Sequence, residues 1–389
     1  MLKNRFFKYV SKGVEEGQQY FSSNLKLMVQ SVAKELFDRL DDENNAVFLN
    51  PMLFAFLNFE EGEISLDQIL YGSIAPEKRP ACIEVLSNTK GEIYLPALGC
   101  LKLAVHQEQK CQLLTKNGRI EVCSREKLIP ITLKTNPIIP HTNIEVQCIP
   151  NPFTNNLIGN YIPGLEAFCA DQDNLEALNK AVSILREYYP EFYNLFCLVT
   201  RWIMPFSNSA SNSFASLAMH GVCFINTHNG DGVVFLIEDI VHQCGHIIFS
   251  ALTYKPQEYF SIDPETPVRR FTNDTKDDRT LYVLFHGVFT EGLMCEAFDI
   301  CLKNKLFKGQ EEHEVKGRFS FILLRFLLDM EILNKNNHFS KAGQRIYDEL
   351  YKNMLDKYKR YAFLLTTYNL ANQTYNFDYS KFALKNELI

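Results

Sequence analysis

Two histidines four residues apart, His242 and His246, have the spacing that points most directly to chemistry. They lie in an apolar stretch, residues 230–255, whose hydrophobic positions follow helical spacing, with Asp231 as the predicted N-cap. Side chains four apart on a helix share one face, with Cβ atoms about 6 Å apart, so both imidazoles can bind one metal ion. Asp239, one turn earlier, shares this face and Glu238 borders it, so an acidic group here could accept the outer ring N–H of a ligand histidine.

The pattern differs by one residue from the HExxH helix of zinc peptidases, because position 243 is Gln. In those peptidases the glutamate is the general base for the attacking water, and a neutral amide cannot accept that proton. The sequence therefore keeps the spacing for a metal and lacks the hydrolytic base. Two buried histidines with purely structural roles are the alternative interpretation.

Composition excludes several classes of function. The 389 residues are 46% hydrophobic and 22% charged, as in soluble globular proteins, and suffice for two or three domain-sized units. A net charge of −6 without a basic, aromatic-interleaved stripe argues against nucleic-acid binding. We find no signal peptide and no uninterrupted apolar run of transmembrane length, so we expect no membrane association. Eleven scattered cysteines without a CxxC pair predict reduced thiols in a cytoplasmic protein.

Hydrophobic periodicity divides the chain into three predicted regions. Residues 1–90 form an N-terminal helical region that begins with two amphipathic helices, and residues 91–150 form a small antiparallel β region of about five strands. An Asn117-Gly118 pair in the β region carries a hairpin signal. Residues 151–389 form a helical metal-binding domain. The predicted fold class is α+β, predominantly helical with a small antiparallel sheet, and the metal site lies between two buried helices.

A second apolar helix is predicted about 40 residues after the first, beginning at Arg279 and with His286 in its middle, so that Arg279 and His286 lie along one helix face. Gly287 follows it and predicts a close backbone approach to a neighbouring helix, since glycine otherwise destabilises a helix by about 1 kcal/mol. The strand-like segment before the first helix is flanked by His220 and His228, which are weaker ligand candidates. A polar loop between the two site helices has the length of a functional lid.

Three features together resemble a known family. A Ser/Asn-rich loop and strand, SNSASNSFASLAMHGVCFIN, precede HQCGH, and DDRTLYVLFHGVFTE follows. This order resembles the HExxH-motif peptide-modifying family of ribosomal peptide pathways, whose members stand alone or are fused to radical SAM enzymes. In that family the motif precedes a segment close to D-P-R-P-L-x-x-L-L-H-G, matched here by residues 278–287. The resemblance covers residues 150–305, and Gln243 and the absent prolines around Arg279 depart from it.

The resemblance implies an oxygenase that uses Fe(II), 2-oxoglutarate and O2 to hydroxylate, at Cβ, a side chain of a precursor peptide. It implies three metal ligands, namely His242, His246 and His286. Arg279 would bind the distal carboxylate of 2-oxoglutarate through a bidentate pair, with Arg269 and Arg270 as other candidates for this role. The candidate catalytic residues are Gln243, at the family's glutamate position, and Tyr282, on the helix face of His286. Neutral imidazole ligands leave the iron more positive, which suits an anionic cosubstrate.

Two other functions stay open at this stage. One is a zinc-dependent hydrolase in which Glu291 or Glu296 is the third ligand and another residue is the base. The other is a non-catalytic peptide-binding member of the same fold. For the oxygenase, the resemblance implies a precursor peptide as substrate and a radical SAM enzyme of the same pathway as a candidate partner. Residues 1–150 are candidates for recognising the peptide, by strand addition to the small sheet.

Overall fold

The computed structural model describes residues 2, 4–58, 64–105, 107–116, 118–148, 172–209, 211–228, 231–272, 276–334, 338–374 and 376–387. The described residues are 56% helical and 16% strand, and two of their three small sheets are antiparallel. The predicted α+β, predominantly helical fold class is confirmed. Asn117 of the predicted hairpin turn lies outside the described residues.

The helices of the described residues carry most of the fold. In chain order they are α1 (Asn4–Val32), α2 (Lys34–Phe37), α3 (Asn45–Phe48), α4 (Pro51–Asn58), α5 (Leu66–Leu70), α6 (Gln172–Tyr188), α7 (Pro190–Val199), α8 (Val233–Leu252), α9 (Leu281–Lys303), α10 (Gln310–Asn334), α11 (Lys341–Thr367) and α12 (Tyr379–Lys385). The N-terminus is thus one long helix and a short one, where the sequence predicted two amphipathic helices.

The strands form three small sheets. They are β1 (Cys82–Ser87), β2 (Glu92–Leu95), β3 (Gly99–Leu103), β4 (Gln109–Lys116), β5 (Arg119–Ser124), β6 (Lys127–Ile129), β7 (Ile131–Lys134), β8 (Glu145–Val146), β9 (Trp202–Phe206) and β10 (Val222–Asn226). Two sheets are antiparallel, with strand orders β1-β4-β5-β6 and β2-β3-β7, and the third is parallel, with order β10-β9-β8.

The β region is therefore two antiparallel sheets where the sequence predicted one, and its first strand begins at Cys82, inside the region predicted to be helical. Both sheets contribute to one hydrophobic cluster, with Val85 and Leu113 from the first and Ile93 and Leu101 from the second. Two small sheets can cover each other's apolar faces, which a single sheet leaves exposed. The predicted hairpin is present, since Lys116 pairs with Arg119.

The chain divides into two compact units. The first comprises Met1–Gly17, Gln172–Val199 and Asn229–Ile389, and the second comprises Gln18–Asp171 and Thr200–His228. Each unit combines segments that are distant in sequence, whereas the sequence was divided into three consecutive regions.

Helix α8 is central to the first unit. It begins at Val233 with Gly232 as N-cap, so the predicted helix is confirmed but the cap is not Asp231. Among the described residues, α8 is the one helix that is long and apolar enough to cross a membrane. However, 72% of its apolar stretch is buried inside the protein. Its apolarity is accounted for by packing against α1, α6, α7 and α9.

Helices α8 and α9 approach closely at Gly245, where an added Cβ would lie 3.0 Å from Thr290 Cγ2. At Gly287 an added Cβ would meet only Asp329 Oδ2, at 4.0 Å. The predicted close approach therefore exists but involves the glycine of the first site helix rather than the glycine beside His286.

Candidate metal centre

The structure brings the three predicted ligand histidines together. Helix α8 supplies His242 and His246, one turn apart, and α9 supplies His286. His246 contacts both neighbours, with its Nε2 3.0 Å from His242 Nε2 and its Nδ1 2.9 Å from His286 Nε2. All three residues are intermediate in burial.

The three imidazoles are neutral at physiological pH. Burial lowers the pKa of His246 to about 4. Burial, followed by the charge of His246, also lowers the pKa of His242 and of His286 well below the usual histidine value. A neutral imidazole is the form that binds a metal ion, because its lone pair is available.

Neutral imidazole nitrogens are suitable ligands for a metal ion, and for two of the three histidines the distance between the ring nitrogens also fits. Two ligand atoms each about 2.1 Å from one ion, at a right angle, lie roughly 3.0 Å apart. The Nε2 atoms of His242 and His246 have this separation. His286 instead faces the other nitrogen of His246, and among the described residues no group of three or more His, Cys, Asp or Glu is arranged to hold a metal. A three-histidine centre therefore requires one ring to reorient.

Gln243 lies on the outer side of His242. Its Nε2 donates to Asp239 Oδ1 at 3.0 Å and lies 3.4 Å from His242 Nδ1, the ring nitrogen remote from His246. Both Gln243 and Asp239 are buried. Gln243 thus links the acidic residue predicted to support a ligand histidine to the outer nitrogen of His242.

Aromatic side chains form one wall of the cluster. Phe249 stacks on His286 with ring centroids 4.6 Å apart, and the Tyr282 ring centroid is 5.7 Å from that of His286. The Tyr282 hydroxyl is 3.0 Å from Thr253 Oγ1, and burial raises its pKa, so it is a neutral phenol beside the cluster. The predicted proximity of Tyr282 to His286 is therefore present.

The three arginines predicted to bind 2-oxoglutarate either pair with aspartates or are exposed to solvent. Arg279 was predicted to lie on α9. It precedes Thr280, the N-cap of α9, and therefore lies outside that helix. Its Nε donates to Asp277 at 3.0 Å and its Nη1 donates to Asp329 Oδ2 at 2.7 Å, while its Nη2 donates to both carboxylates. The two other arginines lie in the preceding loop: Arg269 pairs with Asp278, and the Arg270 side chain is exposed.

A second charged group near the cluster includes a residue that the sequence did not suggest. Arg325, on α10, has its Nε 3.4 Å from Glu291 Oε1, and its positive charge helps to lower the pKa of His242. Glu291 is 2% exposed, and neither of its carboxyl oxygens has a hydrogen-bond partner among the described residues. The feature of the sequence that could have indicated this group is the spacing of Arg325 and Asp329, which lie one turn apart in a mostly apolar helix.

Comparison of the sequence with models of known protein families gives no match, and comparison with curated proteins gives none either. The family resemblance and the functions it implies therefore stay predictions.

Proposed function

We propose that this protein is an Fe(II)- and 2-oxoglutarate-dependent oxygenase that hydroxylates a side chain of a ribosomally made precursor peptide. The observation that carries the proposal is the cluster of three neutral imidazoles from α8 and α9, which are the three ligands that the family resemblance implies. Gln243 favours an oxygenase over a zinc hydrolase, because hydrolysis requires a base at that position and hydroxylation does not.

The residues of the chain have distinct tasks in this proposal. His242, His246 and His286 would hold the metal ion, which, when bound together with 2-oxoglutarate and O2, would supply the oxidant for hydroxylating a C–H bond. Phe249 and Tyr282 shield one side of the cluster from water and hold the His286 ring by stacking and edge contact. A dry wall of this kind limits side reactions of a strong oxidant.

The substrate and cellular setting follow from the family resemblance. The proposed substrate is a precursor peptide, the proposed partner is a radical SAM enzyme of the same pathway, and the proposed location is the cytoplasm. The ten cysteines of the described residues are all free thiols, which is compatible with a reducing compartment. Leader recognition by residues 1–150 remains part of this proposal.

Anaerobic titration of the purified protein with Fe(II), with and without 2-oxoglutarate, tests the proposal. We expect a weak visible charge-transfer band that requires both additions and disappears in His242→Ala and His286→Ala. His313→Ala is the matched control, because His313 is also buried in the first unit but hydrogen-bonds to Tyr379. A band that survives His286→Ala would contradict the ligand assignment, and tight zinc with no band would contradict the oxygenase.

A second candidate, a peptide-binding protein without turnover, is favoured by one observation. Arg279, the family's position for cosubstrate binding, is occupied by two carboxylates. If the protein binds a candidate peptide but neither Fe(II) nor Zn(II), this second function replaces the first.

A further inference from the structure

We propose that a cleft at the start of α11 binds a phosphomonoester, that is, a small molecule that carries a terminal phosphate group. The cleft has a volume of about 600 Å³, which is in the range of small-molecule sites. It lies within the first unit and is lined by the first turns of α1 and the first three turns of α11. The described residues that line it do not include the three histidines, so this site is separate from the candidate metal centre.

The first argument is the charge of the cleft. The whole chain has a net charge of −6, yet the lining is positive. Its four cations and two carboxylates, a net charge of +2, are Arg5, Lys341, Arg345 and Lys352, with Asp348 and Glu349. A phosphomonoester carries a charge of about −1.5 to −2 at pH 7. The charge of the cleft therefore matches this group better than it matches a single carboxylate.

The second argument is that the carboxylates of the cleft already have partners, whereas two of its cations do not. Glu349 pairs with Arg5, and Asp348 accepts a hydrogen bond from a side-chain amide at 2.8 Å. Lys341 and Arg345 have no carboxylate partner among the described residues, and both are exposed to solvent. Their positive charges are therefore available to an anion that enters the cleft.

The third argument is that these two cations are unfavourable for the helix itself. Lys341 is the first residue of α11 and Arg345 lies four residues later, so their side chains share one face. Like charges at this spacing repel each other, and the helix dipole disfavours cations at a helix N-terminus. The first turn of α11 has no acidic residue that could compensate. Local conflicts of this kind are expected at functional sites, and a bound anion would relieve both.

The fourth argument is that the cleft is held in shape before a ligand binds. The Arg345 guanidinium lies over the Tyr9 ring, 4.1 Å from its centroid, which fixes its plane and leaves its N–H groups for a phosphate. Ser340 Oγ donates to the backbone carbonyl of Glu258 at 2.6 Å and accepts from the backbone N–H of Ala342 at 3.2 Å. The helix end is thus anchored and capped by its own chain, so the side chains of Lys341 and Arg345 would hold the ligand.

The test is calorimetric titration of the full-length, metal-free protein at low ionic strength with phenyl phosphate, inorganic phosphate and benzoate. We expect phenyl phosphate to bind more tightly than the other two probes. Lys341→Gln and Arg345→Gln should each weaken its binding by about 10-fold or more, because each removes one charge-assisted hydrogen bond. Lys359→Gln is the matched control, because Lys359 is an exposed lysine of the same helix outside the cleft, and it should leave the affinity unchanged.

Melting temperatures separate this function from a structural role of Lys341. Lys341→Gln removes a cation from a helix N-terminus, so its melting temperature should equal or exceed that of wild type. A lower melting temperature with unchanged phenyl phosphate affinity would show that Lys341 stabilises the fold and would overturn the site.

The three probes decide the chemistry of the ligand. No binding of phenyl phosphate, or the same affinity in wild type, Lys341→Gln and Arg345→Gln, overturns the site. Benzoate that binds as tightly as phenyl phosphate overturns the choice of a phosphate, and inorganic phosphate that binds more tightly overturns the choice of an ester. None of these measurements uses Fe(II) or 2-oxoglutarate, so their failure is distinguishable from failure of the oxygenase proposal.

Discussion

Replacing Gln243 by Glu would restore the full HExxH pattern, and the structure predicts that this change is costly. Gln243 Nε2 donates to Asp239 Oδ1 at 3.0 Å, and both side chains are buried. A glutamate at this position would place a second carboxyl group against the first. Two carboxylates at this distance cannot both be ionised in a dry environment, so one of them must take up a proton.

The cost can be worked out from that proton. An ordinary glutamate has a pKa of about 4.3, and each pH unit above it corresponds to about 1.4 kcal/mol, so keeping the group protonated at pH 7 costs about 4 kcal/mol. The folded-state pKa is raised, so the penalty is absent below the unfolded-state pKa and grows as pH rises. We therefore expect Gln243→Glu to be about 4 kcal/mol less stable than wild type at pH 7 and about 1 kcal/mol less stable at pH 5.

Urea denaturation of wild type and Gln243→Glu at pH 5, 6 and 7 measures this difference. The double variant Asp239→Asn, Gln243→Glu is the control, because it again pairs one amide with one carboxylate and should recover most of the lost stability at pH 7. A stability difference that is the same at all three pH values would refute the shared-proton reasoning. The same double variant is the appropriate protein in which to ask whether a glutamate at 243 alters activity.

Three further predictions concern other parts of the molecule. Lys357→Met should cost about 3–5 kcal/mol of unfolding free energy in urea, because the ammonium is fully buried 2.6 Å from Asp299 Oδ2; a loss below about 1 kcal/mol would contradict this. Burial, with a smaller effect of a nearby arginine, lowers the pKa of His220 to about 3. The neutral imidazole therefore contributes fully to stability above about pH 6.5, and this contribution falls by about 1.4 kcal/mol per pH unit as pH decreases toward 3. The free energy of unfolding of His220→Asn should accordingly vary less with pH than that of wild type. Gly17→Ala should lower the melting temperature, because its Cβ would lie 1.9 Å from a backbone carbonyl oxygen of α8, whereas Gly232→Ala, whose Cβ meets open space, should stay within about 0.5 kcal/mol of wild type.

Local patterns in the sequence were enough to predict the two helices that carry the histidines. Helical spacing of apolar residues fixes which side chains share a face, and the contact between His242 and His246 follows from that spacing alone. The meeting of His246 with His286 depends on packing and was predicted only through the family resemblance. The pairing of the β-strands into two sheets was missed, because strand alternation shows which residues are buried and not which strands are neighbours.

The start of α9 shows how one misplaced helix boundary changes a functional assignment. Extending the helix back to Arg279 places that side chain along the helix axis toward the histidines. The Thr280 hydroxyl instead accepts from the backbone N–H of Val283 and caps the helix, so Arg279 lies outside it and pairs with two aspartates. Threonine is a recognised N-cap residue, so this boundary was available from the sequence.

The place of Arg325 beside Glu291 could not be derived in the same way. The two residues are 34 positions apart on different helices, and their contact depends on how α10 packs against α9. Sequence spacing predicts neighbours within a helix, whereas the partner of a buried carboxyl group across two helices is set by tertiary packing. A charged residue on an apolar helix face needs such a partner, since an isolated buried charge is costly. A motif position therefore predicts a ligand-binding arginine only when its guanidinium is not already held by the protein's own carboxylates, and Arg279 does not meet that condition.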